Sequence, residues 1–342
     1  MNTNEQRESG ILKPGEKFQG YVIEKALNIG SDADVYLARH EMLNTEFALK
    51  VMRAASENED DEFVKRFARE AKVATAIHHP NLVGVQDAGF DRTKNCYFLA
   101  MEYMIGGSLR DRLNILGTVP AKDALAIVRQ IASALIAGAK QGLVHRNIKP
   151  ENIMFSLDGK AKLADLGLAK VESDDSVKTN MGAMFGTPYY MSPEQAMDSS
   201  KVDSRADIYS LGIVLFEMIT GKRPIAGNNI QSVLIDVLSP KPIPDIRTYR
   251  ADVSPVVASI VQRMCEKNRE NRIPTLEMVV TEIDDWLGRD AKSDGVTKRV
   301  SAVEENAAVA TDQRISQLEK LIKVLIAVVV VLIVGLLVVL IA

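Results

Sequence analysis

Side chains able to handle charge gather at three places in this chain. Lys50 lies in the apolar run FALKVM, the run HRNIKPEN brings His145, Arg146, Asn147, Lys149 and Asn152 together, and Asp165 stands in ADLG. Cationic side chains hold anions, and carboxylate and amide oxygens are the ligands a hard divalent cation takes. Taken singly these residues say little. A strand lysine is by default a solvated edge residue, and Glu70 in RFAREA reads as an ordinary surface glutamate. The stretch FLAMEYMIGGSL, holding Met101, Glu102 and Met104, reads in isolation as a buried strand and a turn. The joint order of these stretches carries more than any one of them.

The elements that must position them follow from periodicity. Short runs rich in β-branched and aromatic residues (YVIEKAL, DVYLAR, EFALKVM) alternate with Gly, Asn and Asp between Phe18 and Val51, which predicts strands. Phe63, Phe67, Ala71 and Ala74 recur at helical spacing and predict a helix over 61–77 with one buried face. From Ser108 to Leu287 helical patterns dominate, and LGIVLFEMITG is apolar nearly all round, as a central helix would be. A small strand-rich part thus precedes a larger helical one. With 46% hydrophobic residues the chain can build a sizeable core, and a net charge of −3 without a dense basic face argues against nucleic acid as a partner. Cys96 and Cys265 stand far apart without zinc-site spacing, which excludes a disulfide framework and suits a reducing compartment.

Over residues 18–287 this order resembles a protein kinase, a bilobal α+β fold. The resemblance rests on FALKVM, FLAMEYMIGGSL, HRNIKPEN, ADLG, GTPYYMSPE, VDSRADIYSLG and Arg272 in KNRENR, in the family's order. It implies ATP and magnesium as cofactors, with Lys50 on the α- and β-phosphates and Glu70 pairing with that lysine. Met101 would be the gatekeeper, and the backbones of Glu102 and Met104 would face the adenine. Val35 and Ala48 fall at nucleotide-contacting positions, Asn152 and Asp165 at the metal positions, and Lys149 in the catalytic loop. Glu194 and Arg272 match the large lobe's buried ion pair, and Asp207 the aspartate that braces the catalytic loop. Lys149 and Thr187 are features of serine/threonine kinases, and GTPYYMSPEQA is most similar to bacterial members. Arg146 would receive any phosphate placed on Ser173, Ser176 or Thr179.

The pattern breaks at two places. The family's HRD is HRN here, so the amide of Asn147 replaces the carboxylate that accepts the substrate's proton. An amide is no base near neutral pH, and general-base catalysis is worth about 10² to 10⁴-fold. The glycine-rich loop carries Asn28, Gly30 and Ala33 at its three glycine positions, and Asp32 and Asp34 add negative charge beside it. The surviving nucleotide and metal residues therefore imply Mg-ATP binding with weak or absent transfer, a pseudokinase or slow kinase. The alternatives are a functioning serine/threonine kinase acting on protein and a scaffold that recruits partners.

The last expectation concerns a membrane. Residues 1–17 are polar and read as disordered, and 288–312 read as a polar linker. Val324–Ala342 is a run of nineteen residues without a polar side chain, about 28 Å as a helix, enough to span the hydrocarbon layer. Lys320 and Lys323 on its flank place the kinase-like domain in the cytoplasm, in a tail-anchored topology. Ile315, Leu318, Ile322 and Leu325 form a short seam that runs from the juxtamembrane segment 313–323 into the apolar run, read either as a homodimer contact or as a helix lying at the headgroups.

Overall fold

The computed structural model describes residues 10–30, 33–54, 71, 75–165, 188–225, 227 and 229–293, with backbone alone at 199 and 289–293. The chain divides into two units, Met1–Trp286 and Leu287–Ala342. Nearly all of the second lies outside the described residues, including the apolar run 324–342 and the seam before it. Among the described residues no helix is long and apolar enough to cross a membrane.

The first unit begins with an antiparallel sheet of β1 (Lys17–Phe18), β2 (Tyr21–Ile29), β3 (Asp34–His40), β4 (Glu46–Arg53), β5 (Val85–Asp91) and β6 (Cys96–Glu102), in the order β1-β2-β3-β4-β6-β5. Strand alternation sorts its residues onto two faces. Phe47, Leu49 and Val51 of β4 join Phe98 and Ala100 of β6 in one cluster, which Phe18, Tyr21, Ile23 and Tyr36 complete. Ala48 and Met52 lie on the opposite face with Leu99 and Met101. Lys50 has the parity of Ala48, so the period of the strand alone assigns it to that second face.

Two expected boundaries shift. Leu12 precedes the expected domain start at Phe18, yet it is 3% exposed within the first cluster, because its apolar side chain gains more from the sheet than from water. Gly15 N–H and Ile23 C=O join the same segment to β2 at 2.7 Å. At the other end the helix Leu276–Ser293 runs past Gly288 into the stretch read as linker. Of the helix expected over 61–77, only Ala71, Thr75 and Ala76 are described as helical.

The helical part holds α1 (Leu109–Leu116), α2 (Ala121–Ala139), α3 (Pro193–Met197), α4 (Ser204–Thr220), α5 (Ile230–Leu238), α6 (Pro255–Met264) and α7 (Leu276–Ser293). The helix read as central is α4, buried at every residue from Ala206 to Thr220. Asp203 caps its first turn by accepting from Arg205 N–H, and Gly221 ends it at φ 69°, where a Cβ would lie 2.8 Å from Gly117 C=O. β7 (Ile153–Phe155) and β8 (Ala161–Leu163) pair as a separate antiparallel hairpin. Val83 N–H donates to Leu163 C=O and Leu163 N–H to Asn81 C=O, which ties the hairpin to the segment entering β5.

Candidate functional site

The described site residues converge where the second face of the sheet meets the β7–β8 hairpin. Lys50 is 9% exposed, and its ammonium lies 2.7 Å from Asp165 Oδ1 across 115 positions of sequence. Burial alone would push the Asp165 carboxyl up. The Lys50 ammonium, with His145 and Lys149 beyond it, outweighs that and holds it below the ordinary carboxylate value. Asp165 sits at φ 61°, a left-handed conformation that Asp tolerates better than most residues. Glu70, the expected partner of Lys50, lies outside the described residues.

The loop 145–152 is held from below. Asp207, one turn into α4, accepts from His145 N–H at 2.9 Å and from Arg146 N–H at 2.8 Å. Burial is the largest influence on its carboxyl and keeps it above the ordinary value despite those bonds. Gln195 Nε2 donates to Arg146 C=O at 2.9 Å, and Arg146 is held at φ 64°. His145 Nε2 contacts Ala164 C=O at 3.0 Å, joining the loop to the residue before Asp165. Asn152 Nδ2 donates to Asn147 C=O at 2.8 Å, which commits the amide nitrogen and leaves its oxygen as the acceptor. Asn147 itself is exposed, and its side chain makes no hydrogen bond among the described residues.

The apolar side of the cleft is one cluster. Ala48, Leu99, Met101 and Met104 are buried in it, with Ala33, Val35, Met154 and Ala164 half-buried against them. Met154 was not anticipated, although strand parity pointed to it: Ile153 and Phe155 face inward, so the residue between them faces the sheet. Glu102 N–H donates to Gly84 C=O at 2.9 Å, and its carboxylate takes two 2.7 Å bonds from Lys162 on β8. No local sequence signal marks that pair. Asn28 and Gly30 are exposed at the end of β2. A Cβ on Gly30 would lie 2.8 Å from Ala33 C=O, so this glycine is required by close approach of backbone.

Further from the cleft, Arg272 binds Glu194 at 2.6 and 3.1 Å with its own side chain fully buried. Arg110 joins Glu151, Glu217 and Tyr190 in a second network. Asp34, expected as a charge beside the loop, is instead buried and hydrogen-bonded within the sheet. Both cysteines are free and buried.

The arrangement can hold a polyanion and one or two hard cations. Among the described residues no group of three or more His, Cys, Asp or Glu could hold a metal alone. One carboxylate and one amide oxygen suit magnesium when the bound phosphates complete its shell. The protein kinase domain model matches residues 21–283. The chain is similar to serine/threonine-protein kinase PknB of Mycobacterium leprae, 37% identical over 257 residues that make up 75% of this chain and 41% of that one. It is also similar to serine/threonine-protein kinase PrkC of Bacillus subtilis, 34% identical over 79% of this chain and 41% of that one. The chain therefore spans about two fifths of the length of these relatives. The PknI kinase domain of Mycobacterium tuberculosis superposes with a TM-score of 0.62 at 27% identity, covering 80% of this chain and 99% of that one.

Proposed function

The chain belongs to the protein kinase family, on its bacterial serine/threonine branch, and from that premise we propose that it binds Mg-ATP at a membrane with slow or absent phosphoryl transfer. One observation carries the reading. Lys50, Asp165 and Asn152 are gathered around a loop whose proton-accepting position is filled by the amide of Asn147.

In this reading Lys50 supplies positive charge to the α- and β-phosphates while Glu70 directs it, and it leaves Asp165 when they arrive. Asp165 and Asn152 would hold magnesium, which would supply positive charge to the phosphates. Val35, Ala48, Met101 and Met154 enclose the adenine, whose edge meets the backbones of Glu102 and Met104. Asn28 and Gly30 cover the phosphates. Asn147 orients a serine or threonine hydroxyl through its amide oxygen without removing the proton, and Lys149 stabilises charge on the transferred group.

A functioning kinase is the second reading, favoured by the intact bracing of the loop by Asp207 and Gln195. Phosphoryl transfer depends mainly on positioning and charge stabilisation, which that bracing preserves. Transfer of labelled phosphate from Mg-ATP to serine- and threonine-containing protein, measured on the full chain in vesicles, separates the two. Turnover of about 1 to 100 per second would establish an ordinary kinase, and a rate about 10²-fold lower the slow one.

The apolar run 324–342 is the proposed anchor, with the kinase domain on the side of Lys320 and Lys323, the polar stretch before it as tether, and the seam at 315–325 as a homodimer contact. Deleting 324–342 should move the protein from the membrane pellet to the soluble fraction. A truncated protein that stays in the pellet refutes the anchor.

A further inference from the structure

Asp34 belongs to none of the roles assigned above, yet it is among the most closely bonded carboxylates of the sheet. It opens β3 and is 4% exposed. Three donors from three parts of the chain converge on it. Ile11 N–H reaches Oδ2 at 2.8 Å, the Tyr36 hydroxyl reaches the same oxygen at 3.0 Å, and Gly30 N–H reaches Oδ1 at 3.3 Å. Leu12 N–H donates in turn to the Tyr36 hydroxyl at 3.0 Å. Burial, the largest influence, pushes the Tyr36 hydroxyl up to about 12, so it keeps its proton at neutral pH and remains a donor. Gly10 lies so close that an added Cβ would meet the Tyr36 hydroxyl and, at 3.3 Å, Asp34 Oδ2. Only glycine lets residues 10–12 pass over the carboxylate.

Gly30 is the one glycine left at the three glycine positions of the phosphate-facing loop, and it is the residue whose N–H the carboxylate holds. A glycine there has the widest backbone freedom of any residue, and every bond that fixes it lowers the entropy lost when a ligand orders the loop. We propose that Asp34 is a positioning residue for the nucleotide's phosphates, holding the backbone N–H of Gly30, and that residues 10–12 form the second half of that bracket. The inference rests on the Mg-ATP reading above. It assigns the N-terminal segment a part in nucleotide binding, and it gives Asp34 a role opposite to the repulsion its charge implied.

The test compares two ligands that share the adenine pocket and differ in phosphates. Dissociation constants of Mg-ATP and of adenosine are measured on the full chain, with thermal melting recorded for each variant. Asp34→Asn presents an amide N–H toward one of the three donors. It should weaken Mg-ATP about five- to tenfold, the scale of one ordinary hydrogen bond, while adenosine affinity stays within about twofold. Gly10→Ala pushes the N-terminal segment away from the Tyr36 hydroxyl and Asp34 Oδ2 while keeping the Asp34 carboxylate itself, and should shift the Mg-ATP to adenosine ratio in the same direction by less. Equal loss for both ligands, or lower melting with unchanged affinities, makes Asp34 structural only and overturns the proposal. If Asp34→Asn does not fold, an unchanged ratio in Gly10→Ala overturns it instead. A wild-type chain that binds adenosine but not Mg-ATP sinks the bracket. One that binds neither sinks the nucleotide reading and the bracket together.

Discussion

The two walls of the cleft depart from the family pattern in different ways. On the helical wall the change is one side chain, Asn147, in a loop whose backbone is held by Asp207 and Gln195 from helices far away in sequence. On the sheet wall Asn28 and Ala33 alter the backbone's own freedom, and Gly30 N–H is held by the carboxylate of Asp34, which residues 10–12 cover. A loop pinned by buried groups outside itself can lose a reactive side chain and keep its shape. A loop whose shape depends on its own glycines must find a new support when they go.

The largest effect should come from removing the deepest support of the helical wall. Arg272→Ala leaves Glu194 uncompensated and should cost about 3 to 5 kcal/mol in denaturant unfolding. A loss below about 1 kcal/mol would mean that the wall is not held by buried charge. Restoring the acid with Asn147→Asp should raise transfer to serine or threonine by about 10²-fold or more at saturating Mg-ATP. Ala33→Gly on the opposite wall should act on Mg-ATP affinity instead and leave the saturated rate unchanged. The comparison breaks if the two variants exchange these effects.

Lys50→Ala should weaken Mg-ATP by about 1.5 to 3 kcal/mol, the worth of a charge-assisted bond, as read by calorimetry. Equal stabilisation of wild type and variant by Mg-ATP would remove Lys50 from the phosphate site. The smallest effect concerns pH. Asp165 is depressed below 3.8 when folded, so its pairing with Lys50 stabilises the protein above that value and is lost as pH falls through the depressed one. In Lys50→Met burial at Asp165 is opposed only by His145 and Lys149, so its pKa rises and the contribution shrinks. Between about pH 6 and about pH 3 the wild type should therefore lose more stability than the variant. Asp207, raised in both proteins, cancels in the difference. Parallel pH profiles would show that Lys50 does not set the state of Asp165.

Much of this protein was legible in its residues taken in order. The strands before Val51, the central helix α4 and the kinase resemblance follow from short-range period and motif spacing, which the chain imposes locally. The resemblance also led to the brace of Asp207 and the pair of Glu194 and Arg272, although those contacts are distant in sequence. Burial decided the rest. Asp34 is an acidic residue in any sequence count, and only the packed sheet turns it from a charge beside the loop into an acceptor for three donors. Lys162 and Glu102 are 60 positions apart, and only the fold brings β8 close enough to β6 for them to meet. The direction of Lys50 toward Asp165 likewise required the sheet and the hairpin to be brought together. Local pattern sets which residues form strands and helices, because backbone geometry repeats over a few residues. It does not set which charges lose their water, because that depends on what the rest of the chain lays over them.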